Sequence, residues 1–170
     1  MKKVSFRNDV LPLKNELFRL ALRITLNRAE AEDIVQDTLI KVWNRREEWN
    51  AIDSIEAFSL TVCRNLSLDR IRKKGNDNDS LEDVKAADPL ASSNPQDRMI
   101  QTDKVRLIRQ IVDGLPEKQR SCMQLRDFEG KTYKEIASVL DISEEQVKVN
   151  IFRARQTVKQ KYLKLDNYGL

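Results

Sequence analysis

The chain has 170 residues, of which 34% are charged and only 6% aromatic, with four glycines and four prolines, a balance that favours a helix-rich soluble protein. It contains no histidine, which removes the commonest general base and metal ligand. The sequence also lacks a glycine-rich phosphate loop, a nucleophile elbow and a Cys-x-x-Cys pair. An enzyme, a metal site and a bound cofactor are therefore not expected.

Charge is distributed in three blocks. Residues 1–74 carry 15 basic and 11 acidic side chains, residues 75–97 carry one and six, and residues 98–170 carry 15 and 10. The middle block is also rich in small and turn-forming residues, so it is predicted to be a flexible acidic linker between two small helical domains. An apolar run long enough to span a membrane and a secretory signal are both missing, so a cytoplasmic protein without membrane insertion is expected.

Three helices are predicted in the first block, at about residues 9–26, 28–46 and 53–74. Apolar residues recur in them at spacings of three and four, which is typical of one buried helical face. Asp53 and Glu56 are predicted to form a capping box at the start of the third helix. Its second half is cationic, from Arg64 and Arg70 to Lys74, and is predicted to be a basic surface. The terminal cations alone fit helix-dipole compensation equally well.

Four helices are predicted in the second block. The first covers about residues 98–112, and the second covers about residues 116–128, with Pro116 at its first position and Cys122, Leu125 and Phe128 turned inward. The two cysteines, Cys63 and Cys122, lie in apolar patterns of different blocks, and they are predicted to be buried, reduced thiols without a disulfide.

The last two helices lie between Thr132 and Tyr162. Thr132 with Glu135 and Ser143 with Gln146 are two capping-box pairs, and Asp141 stands at a turn that often needs the left-handed conformation. The longer helix that follows has one apolar face and one cationic face. This pattern indicates a helix-turn-helix with its second helix in a DNA major groove. Spacing alone also fits an ordinary helical hairpin whose charges are solvated.

The segments AEDIVQDTLIKVW, AFSLTVCRNLSLDRIRKK and LPEKQRSCMQLRDFEGKTYKEIASVLDISEEQVKVNIFRARQTV occur in this order. Together they resemble the ECF (extracytoplasmic function) group of bacterial sigma-70 family sigma factors, over about residues 9–163. The resemblance implies two all-α domains: residues 1–74, which bind core RNA polymerase and the promoter −10 element, and residues 98–170, which read the −35 element as duplex.

The resemblance also implies which residues contact each partner. The surface that docks on the clamp helices of the largest polymerase subunit would be Asp33, Gln36, Asp37 and Ile40. The surface that holds the −10 single strand and one flipped base would be Trp49, Asn50, Asn65, Asp69, Arg70, Arg72 and Lys73. The surface that reads the −35 duplex would be Thr132, Lys134, Lys148, Val149, Asn150, Arg153 and Arg155.

Further partners are implied as well: promoter DNA, the polymerase flap for the C-terminal domain, and an anti-sigma factor. Val149 and Asn150 stand where relatives often carry a small polar and a basic residue, so the −35 preference cannot be copied from relatives. Two alternatives remain open at this level, a stand-alone helix-turn-helix regulator that binds an operator and a helical adaptor that binds only protein.

Overall fold

The computed structural model describes residues 3–76 and 95–167, and these residues form helices and turns without a β-strand. This confirms the predicted all-α fold class. The α-helices are α1 (Lys14–Thr25), α2 (Arg28–Asn44), α3 (Ile55–Asn76), α4 (Pro95–Asp113), α5 (Glu117–Met123), α6 (Tyr133–Leu140) and α7 (Glu144–Asn167). Among the described helices, none is long and apolar enough to cross a membrane. The predicted linker falls mostly on residues 77–94, outside the described ranges.

The first helix begins later than the sequence predicts. A π-helical turn at Phe6–Val10 and a 3₁₀ turn at Leu11–Leu13 precede α1. Pro12 lacks an N–H group and its ring obstructs the carbonyl four residues earlier, so a regular α-helix cannot run through it. The end of α1 is sharp because Leu26 adopts the left-handed conformation (φ 58°). The Asn27 side chain then caps α2 by accepting from the Glu30 N–H, at 3.0 Å.

Helices α1, α2 and α3 pack together as the N-terminal unit, residues 3–76. The predicted apolar stripes of α1 and α2 are buried, including Leu17, Leu20 and Ile34. The cap of α3 differs from the prediction, because Ser54 and not Asp53 accepts from the Ala57 N–H, at 3.1 Å. Ser67 is buried in α3, and its hydroxyl donates to the Cys63 carbonyl, so a polar residue lies in this core at no hydrogen-bonding cost.

Helices α4 to α7 form the C-terminal unit, residues 95–167. The predicted helix at residues 116–128 is divided into α5 and a π-helical turn at Gln124–Phe128, and Pro116 occupies the cap position. The prediction that Phe128 is buried was wrong, since 49% of its surface is exposed. The π turn shifts the register of the following residues by one. Phe128 therefore turns away from the core, and its ring packs beneath the Arg23 guanidinium.

The helix-turn-helix has both predicted capping boxes. The Glu135 N–H donates to Thr132 Oγ1 at 3.1 Å, and the Thr132 N–H donates to the Glu135 carboxylate at 3.0 Å. Ser143 and Gln146 make the same pair of bonds, each at 3.1 Å. The hydrogen bond from the Thr132 N–H to the Glu135 carboxylate lowers the pKa of Glu135. Asp141 is left-handed as predicted (φ 55°). The turn and the two caps therefore depend only on residues within a few positions of one another.

We expect Thr132→Ala to lower the free energy of unfolding by about 1 kcal/mol, because it removes the acceptor for the first-turn N–H of α6. Urea unfolding followed by circular dichroism measures the change. Ser138→Ala, at an exposed position within the same helix, is the matched control and should change stability by less than about 0.5 kcal/mol. Equal effects of the two substitutions would contradict the capping argument.

Both cysteines are buried, as the sequence predicts, and each thiol is free. Burial raises the pKa of each thiol to about 12. The Cys63 thiol donates to the Leu17 carbonyl at 3.3 Å, inside the N-terminal unit. Cys122 belongs to the C-terminal unit and lies in the same apolar cluster as Cys63, which both units share. The charge of Arg64 reaches Cys122 there. At neutral pH both thiols are protonated and unreactive.

The two units pack against each other. One apolar cluster contains Leu17 and Cys63 of the N-terminal unit together with Leu125, Ile136 and Leu140 of the C-terminal unit. The contacting helices are α1 and α3 on one side and α5 and α6 on the other. Sequence patterns cannot predict this arrangement, since an apolar helical face does not specify which distant helix will cover it.

Candidate nucleic-acid and polymerase interfaces

The outer face of α7 is cationic with an apolar centre. Val147, Ile151 and Ala154 are buried and anchor the helix to the rest of the C-terminal unit. The residues predicted to read the −35 duplex lie on the other side, where Lys148, Val149, Arg153 and Arg155 are exposed and Asn150 is half-buried. Thr132 and Lys134, at the start of α6, are exposed too. The structure therefore presents these residues on a surface that DNA can approach.

The cations of this face differ in how firmly they are held. Arg155 forms two hydrogen bonds with the Asp127 carboxylate, which raises its pKa. The Lys148 ammonium lies 5.6 Å from the centre of the Tyr133 ring. Arg153 makes no ion pair within residues 3–76 and 95–167. Arg153 is therefore available to an anionic partner without losing an existing contact, whereas Arg155 must exchange one.

Phe152 is a member of this surface that the sequence analysis missed. Its side chain is 62% exposed, the largest exposure among the large apolar side chains of the described residues. It lies three positions after Val149, so the two side chains share one helical face. That spacing is the signal in the sequence that identifies it. Exposed aromatic and aliphatic side chains on a DNA-facing helix are suited to contacts with thymine methyl groups.

The predicted polymerase-binding residues form one stripe along α2. Asp33, Gln36, Asp37 and Ile40 follow one another at spacings of three, one and three, which places them on the same helical face. All four are at least partly exposed, and Ile40 is 57% exposed. Ile40 and the exposed Trp43, three positions later on the same helix, form an apolar centre with carboxylates at its edge. An apolar centre with a polar rim suits a protein partner.

A pocket of about 550 Å³ opens between the C-terminal end of α2 and the middle of α3. It is lined by Lys41, Asn44, Arg45, Phe58, Thr61, Val62, Asn65, Leu66 and Asp69. Two of the residues predicted to bind the −10 strand, Asn65 and Asp69, are therefore brought together with an aromatic ring and two cations. Concave sites that mix apolar walls with a few polar groups are the usual form of small-ligand sites.

Other residues predicted to bind the −10 strand lie apart from this pocket. Arg72 is exposed and pairs with Asp69, and Lys73 and Asn50 are exposed without lining it. Arg70 reaches across to α2 and pairs with Asp33 and Asp37, at 3.2 and 3.3 Å. Arg70 thus braces the stripe on α2, an arrangement that the sequence pattern does not predict.

Trp49 and Arg64 are not at the surface. Trp49 is only 6% exposed, and its indole N–H donates to the Val42 carbonyl at 3.0 Å. The exposed aromatic ring nearby is Trp43, over which the Arg46 guanidinium lies at 4.5 Å. Placing Arg64 on a basic surface was wrong: it is 7% exposed and pairs with Glu117 of the C-terminal unit. Glu117 is half-buried, and leaving its carboxylate without the Arg64 cation would destabilise the folded state.

Two protein-family models match this chain, one in each unit. The family model for sigma-70 region 2 matches residues 10–76, and the model for sigma-70 region 4 matches residues 106–158. The match with region 2 covers α1, α2 and α3. The match with region 4 covers the last eight residues of α4, all of α5 and α6, and α7 as far as residue 158.

Two curated relatives and one solved structure extend the comparison. The chain is 30% identical over 91% of its length to the probable RNA polymerase sigma factor RfaY of Xanthomonas campestris, and it spans 39% of that protein. It is 28% identical over 85% of its length to the ECF sigma factor SigE of Mycolicibacterium smegmatis, and it spans 56% of that one.

The solved structure is the sigma factor RpoE of Bartonella quintana, in complex with the anti-sigma factor NepR. It covers 95% of this chain and 98% of its own, with a TM-score of 0.74 and 24% identity. This likeness establishes the fold across both units. Region 2 and region 4 in order along one chain, together with relatives of the ECF type, show that this chain belongs to the ECF group of sigma-70 family sigma factors.

Proposed function

We propose that this chain is an alternative sigma factor that binds core RNA polymerase and directs it to a specific set of promoters. The observation that carries the proposal is the presence, in one chain, of an acidic and apolar protein-binding stripe on α2 and a cationic helix-turn-helix face on α7. A stand-alone DNA-binding protein has no need of the first surface, and a protein adaptor has no need of the second. The proposed role is non-catalytic and is exercised in the cytoplasm, where polymerase works.

Core polymerase would dock on the α2 stripe. Ile40 would be the buried apolar contact and Asp33, Gln36 and Asp37 its polar surroundings, the usual anatomy of a protein interface. Arg70 supports this surface, because its pairing with Asp33 and Asp37 holds both carboxylates against α3. The clamp helices of the largest polymerase subunit are the proposed partner, and the flap is the proposed contact of the C-terminal unit.

The −10 element would be held as a single strand along α3. A flipped base would enter the pocket between α2 and α3, with Asn65 and Asp69 available to its hydrogen-bonding edge and Phe58 to its face. Lys73 and Arg72 would hold the neighbouring phosphates, a contribution that weakens with salt. Trp49 is left out of this surface because it is buried, and Arg70 is assigned to the polymerase face.

The −35 element would be read as duplex by α7. Arg153 is the proposed guanine or phosphate contact, and Lys148 and Asn150 are its polar neighbours. Val149 and Phe152 would supply apolar contacts to base edges. Thr132 and Lys134, at the N-terminal end of α6, would hold the backbone, and helix N-termini suit phosphate. Arg155 would act only after it leaves Asp127.

An anti-sigma factor is a further proposed partner. The solved structure of the Bartonella protein contains one, and the fold of this chain follows that protein over nearly its whole length. An anti-sigma factor bound to this chain would compete with polymerase or with promoter DNA for the surfaces described above.

The decisive experiment mixes the purified full chain with core RNA polymerase and a promoter library and sequences the transcripts that start. We expect specific start sites that depend on the chain and share two upstream elements. Tight, sequence-specific duplex binding by the chain alone, with no directed initiation, would instead support an operator-binding regulator. Polymerase binding without any promoter selectivity would support an adaptor. Either result would overturn the proposal.

A further inference from the structure

The cationic face of α7 contains one carboxylate that comes from another element. Asp127 lies in the π-helical turn at Gln124–Phe128, and the Arg155 guanidinium donates two hydrogen bonds to it, one of them from Nε to Oδ2 at 3.1 Å. The two residues are 28 positions apart, so the contact depends on the tertiary fold. Within residues 3–76 and 95–167, it is the only ion pair that a cation of α7 makes.

The turn that carries Asp127 is held by backbone hydrogen bonds. The Glu129 N–H donates to the Gln124 carbonyl at 3.1 Å, and the Lys131 N–H donates to the Leu125 carbonyl at 2.9 Å. A π turn holds one residue more than a regular helical turn, and such turns are frequent at functional sites. The direction of the Asp127 side chain is therefore set by its own turn and does not depend on the ion pair that it makes.

The pair of Arg155 with Asp127 is firmer than the other ion pair proposed to lie on a DNA-binding surface, that of Arg72 with Asp69. Arg72 and Asp69 are three positions apart on α3, share one bond, and have side chains that are 72% and 55% exposed. Arg155 and Asp127 share two bonds and are 50% and 29% exposed. Exposed single ion pairs contribute little, whereas a bidentate contact between arginine and a carboxylate is the stronger kind. Arg155 is therefore held in the unbound chain, while Arg72 can change partner easily.

Arg155 lies at the edge of α7 where DNA phosphates are expected to run. It follows Lys148 by seven positions, which is close to two helical turns, so both side chains leave the same edge of the helix. The Lys148 ammonium lies 5.6 Å from the centre of the Tyr133 ring, and Tyr133 also contributes to the raised pKa of Arg155. Tyr133 stands between Thr132 and Lys134, the two residues proposed to hold the −35 backbone. A phosphate that follows this edge would therefore approach Arg155.

A carboxylate and a phosphate bind an arginine in the same way. The guanidinium group donates two parallel N–H bonds to two oxygens of either anion. Asp127 therefore fills the position that a DNA phosphate would take on Arg155. A phosphate can bind there only after Asp127 releases Arg155, and the negative charge of Asp127 then remains beside the phosphate and repels it. Both effects lower the affinity for duplex DNA without regard to its sequence, since phosphates carry no sequence information.

We propose that Asp127 is an intramolecular substitute for a DNA phosphate, which keeps Arg155 from contacting duplex DNA and so lowers the sequence-independent affinity of this chain for DNA. This inference rests on the proposed function, because it requires α7 to face the −35 duplex. Phosphate contacts supply essentially all of non-specific binding, so one cation withheld from them weakens attraction to DNA of any sequence. Arg153 has no such partner within the described ranges. Base contacts by Arg153 then make up a larger share of the binding that remains.

The test measures binding of the full-length chain to a fluorescently labelled duplex of arbitrary sequence, by anisotropy at several salt concentrations. Asp127→Asn removes the charge and keeps the shape of the side chain, and Asp103→Asn makes the same change at an exposed position of α4 as the matched control. We expect Asp127→Asn to bind about fivefold more tightly at about 50 mM salt, with a slope of log affinity against log salt that is steeper by about 0.9, the value for one further phosphate. Raising the salt fourfold should then reduce this gain about threefold. The control should bind as the wild type does.

A double-mutant cycle separates the release of Arg155 from the simple loss of a negative charge. When Arg155 is already replaced by glutamine, Asp127→Asn should improve the affinity for the duplex by less than about twofold, because no guanidinium group is released. Asp127→Ser also removes the charge and should give the same gain as Asp127→Asn. Urea unfolding of each variant measures any change in stability, which by itself would not make the salt dependence steeper. The gain should be equal on duplexes with and without a −35 element.

The inference is overturned if Asp127→Asn and the wild-type chain bind the duplex equally. It is also overturned if the gain is as large when Arg155 is absent, since Asp127 would then repel DNA by its charge alone, or if the gain is confined to one DNA sequence. Failure of the proposed function gives a different result, because the wild-type chain would then direct no initiation by core polymerase. The duplex measurements need no polymerase, so they decide the role of Asp127 in either case.

Discussion

Asp37→Lys is expected to weaken sigma-dependent initiation by weakening polymerase binding, with at least a tenfold loss of affinity for core polymerase. Asp37 lies in the centre of the α2 stripe, where its carboxylate faces both solvent and Arg70. A lysine there reverses the charge at the proposed interface and also places a second cation beside Arg70. A tenfold loss corresponds to about 1.4 kcal/mol, which is modest for reversing a charge inside an interface.

The measurement is the affinity of the labelled chain for core polymerase in solution, followed by transcription from a linear template. Glu47→Lys is the matched control, because it makes the same change of charge at an exposed residue of the 3₁₀ turn after α2 and outside the stripe. Its affinity for core polymerase should equal that of the wild type. Equal losses in both variants would mean that net charge, and not the α2 stripe, governs the interaction.

Arg153→Ala is expected to give the opposite result: polymerase binding is retained while initiation that depends on the −35 element falls by about five- to one-hundred-fold. A base contact by arginine is worth about 1–3 kcal/mol. Arg153 has no ion pair within the described ranges, so no existing contact offsets the loss of its interaction with DNA. If it binds a phosphate, the slope of log affinity against log salt should also fall by about one.

Arg155→Ala provides the comparison on the same helix. Because Arg155 is engaged by Asp127, its truncation should weaken −35-dependent initiation much less than truncation of Arg153. Competition between promoters with intact and scrambled −35 elements separates base reading from general attraction. A larger effect at Arg155 than at Arg153 would show that the ion pair with Asp127 does not persist on DNA.

These two predictions assign polymerase binding and duplex reading to different surfaces. Each can be lost without the other if the surfaces act independently once bound.

Most features that depend on neighbouring residues were determined by the sequence alone. The cap of α3 is an exception, since Ser54 takes the place of the predicted Asp53. The two capping boxes and the left-handed Asp141 were predicted and found, because their partners lie within three or four positions and their geometry follows from the helix itself. The buried stripes of α1, α2 and α7 follow from the helical period in the same way. The order of the two sigma-70 regions, and with it the family, is likewise a property of the sequence.

The tertiary structure alone decided the features that depend on distant partners. Arg64 and Arg70 look alike in the sequence, yet Arg64 is buried against Glu117, 53 positions away, while Arg70 pairs with Asp33, 37 positions away. The burial of Trp49 and the exposure of Phe128 also differ from the prediction, because each depends on how the turn that carries the residue packs against the rest of the fold. The packing of the two units is of this second kind as well. A buried charge requires an ion-pair partner, and an apolar face requires another apolar surface to cover it. Only the folded chain determines which distant residues fill these roles.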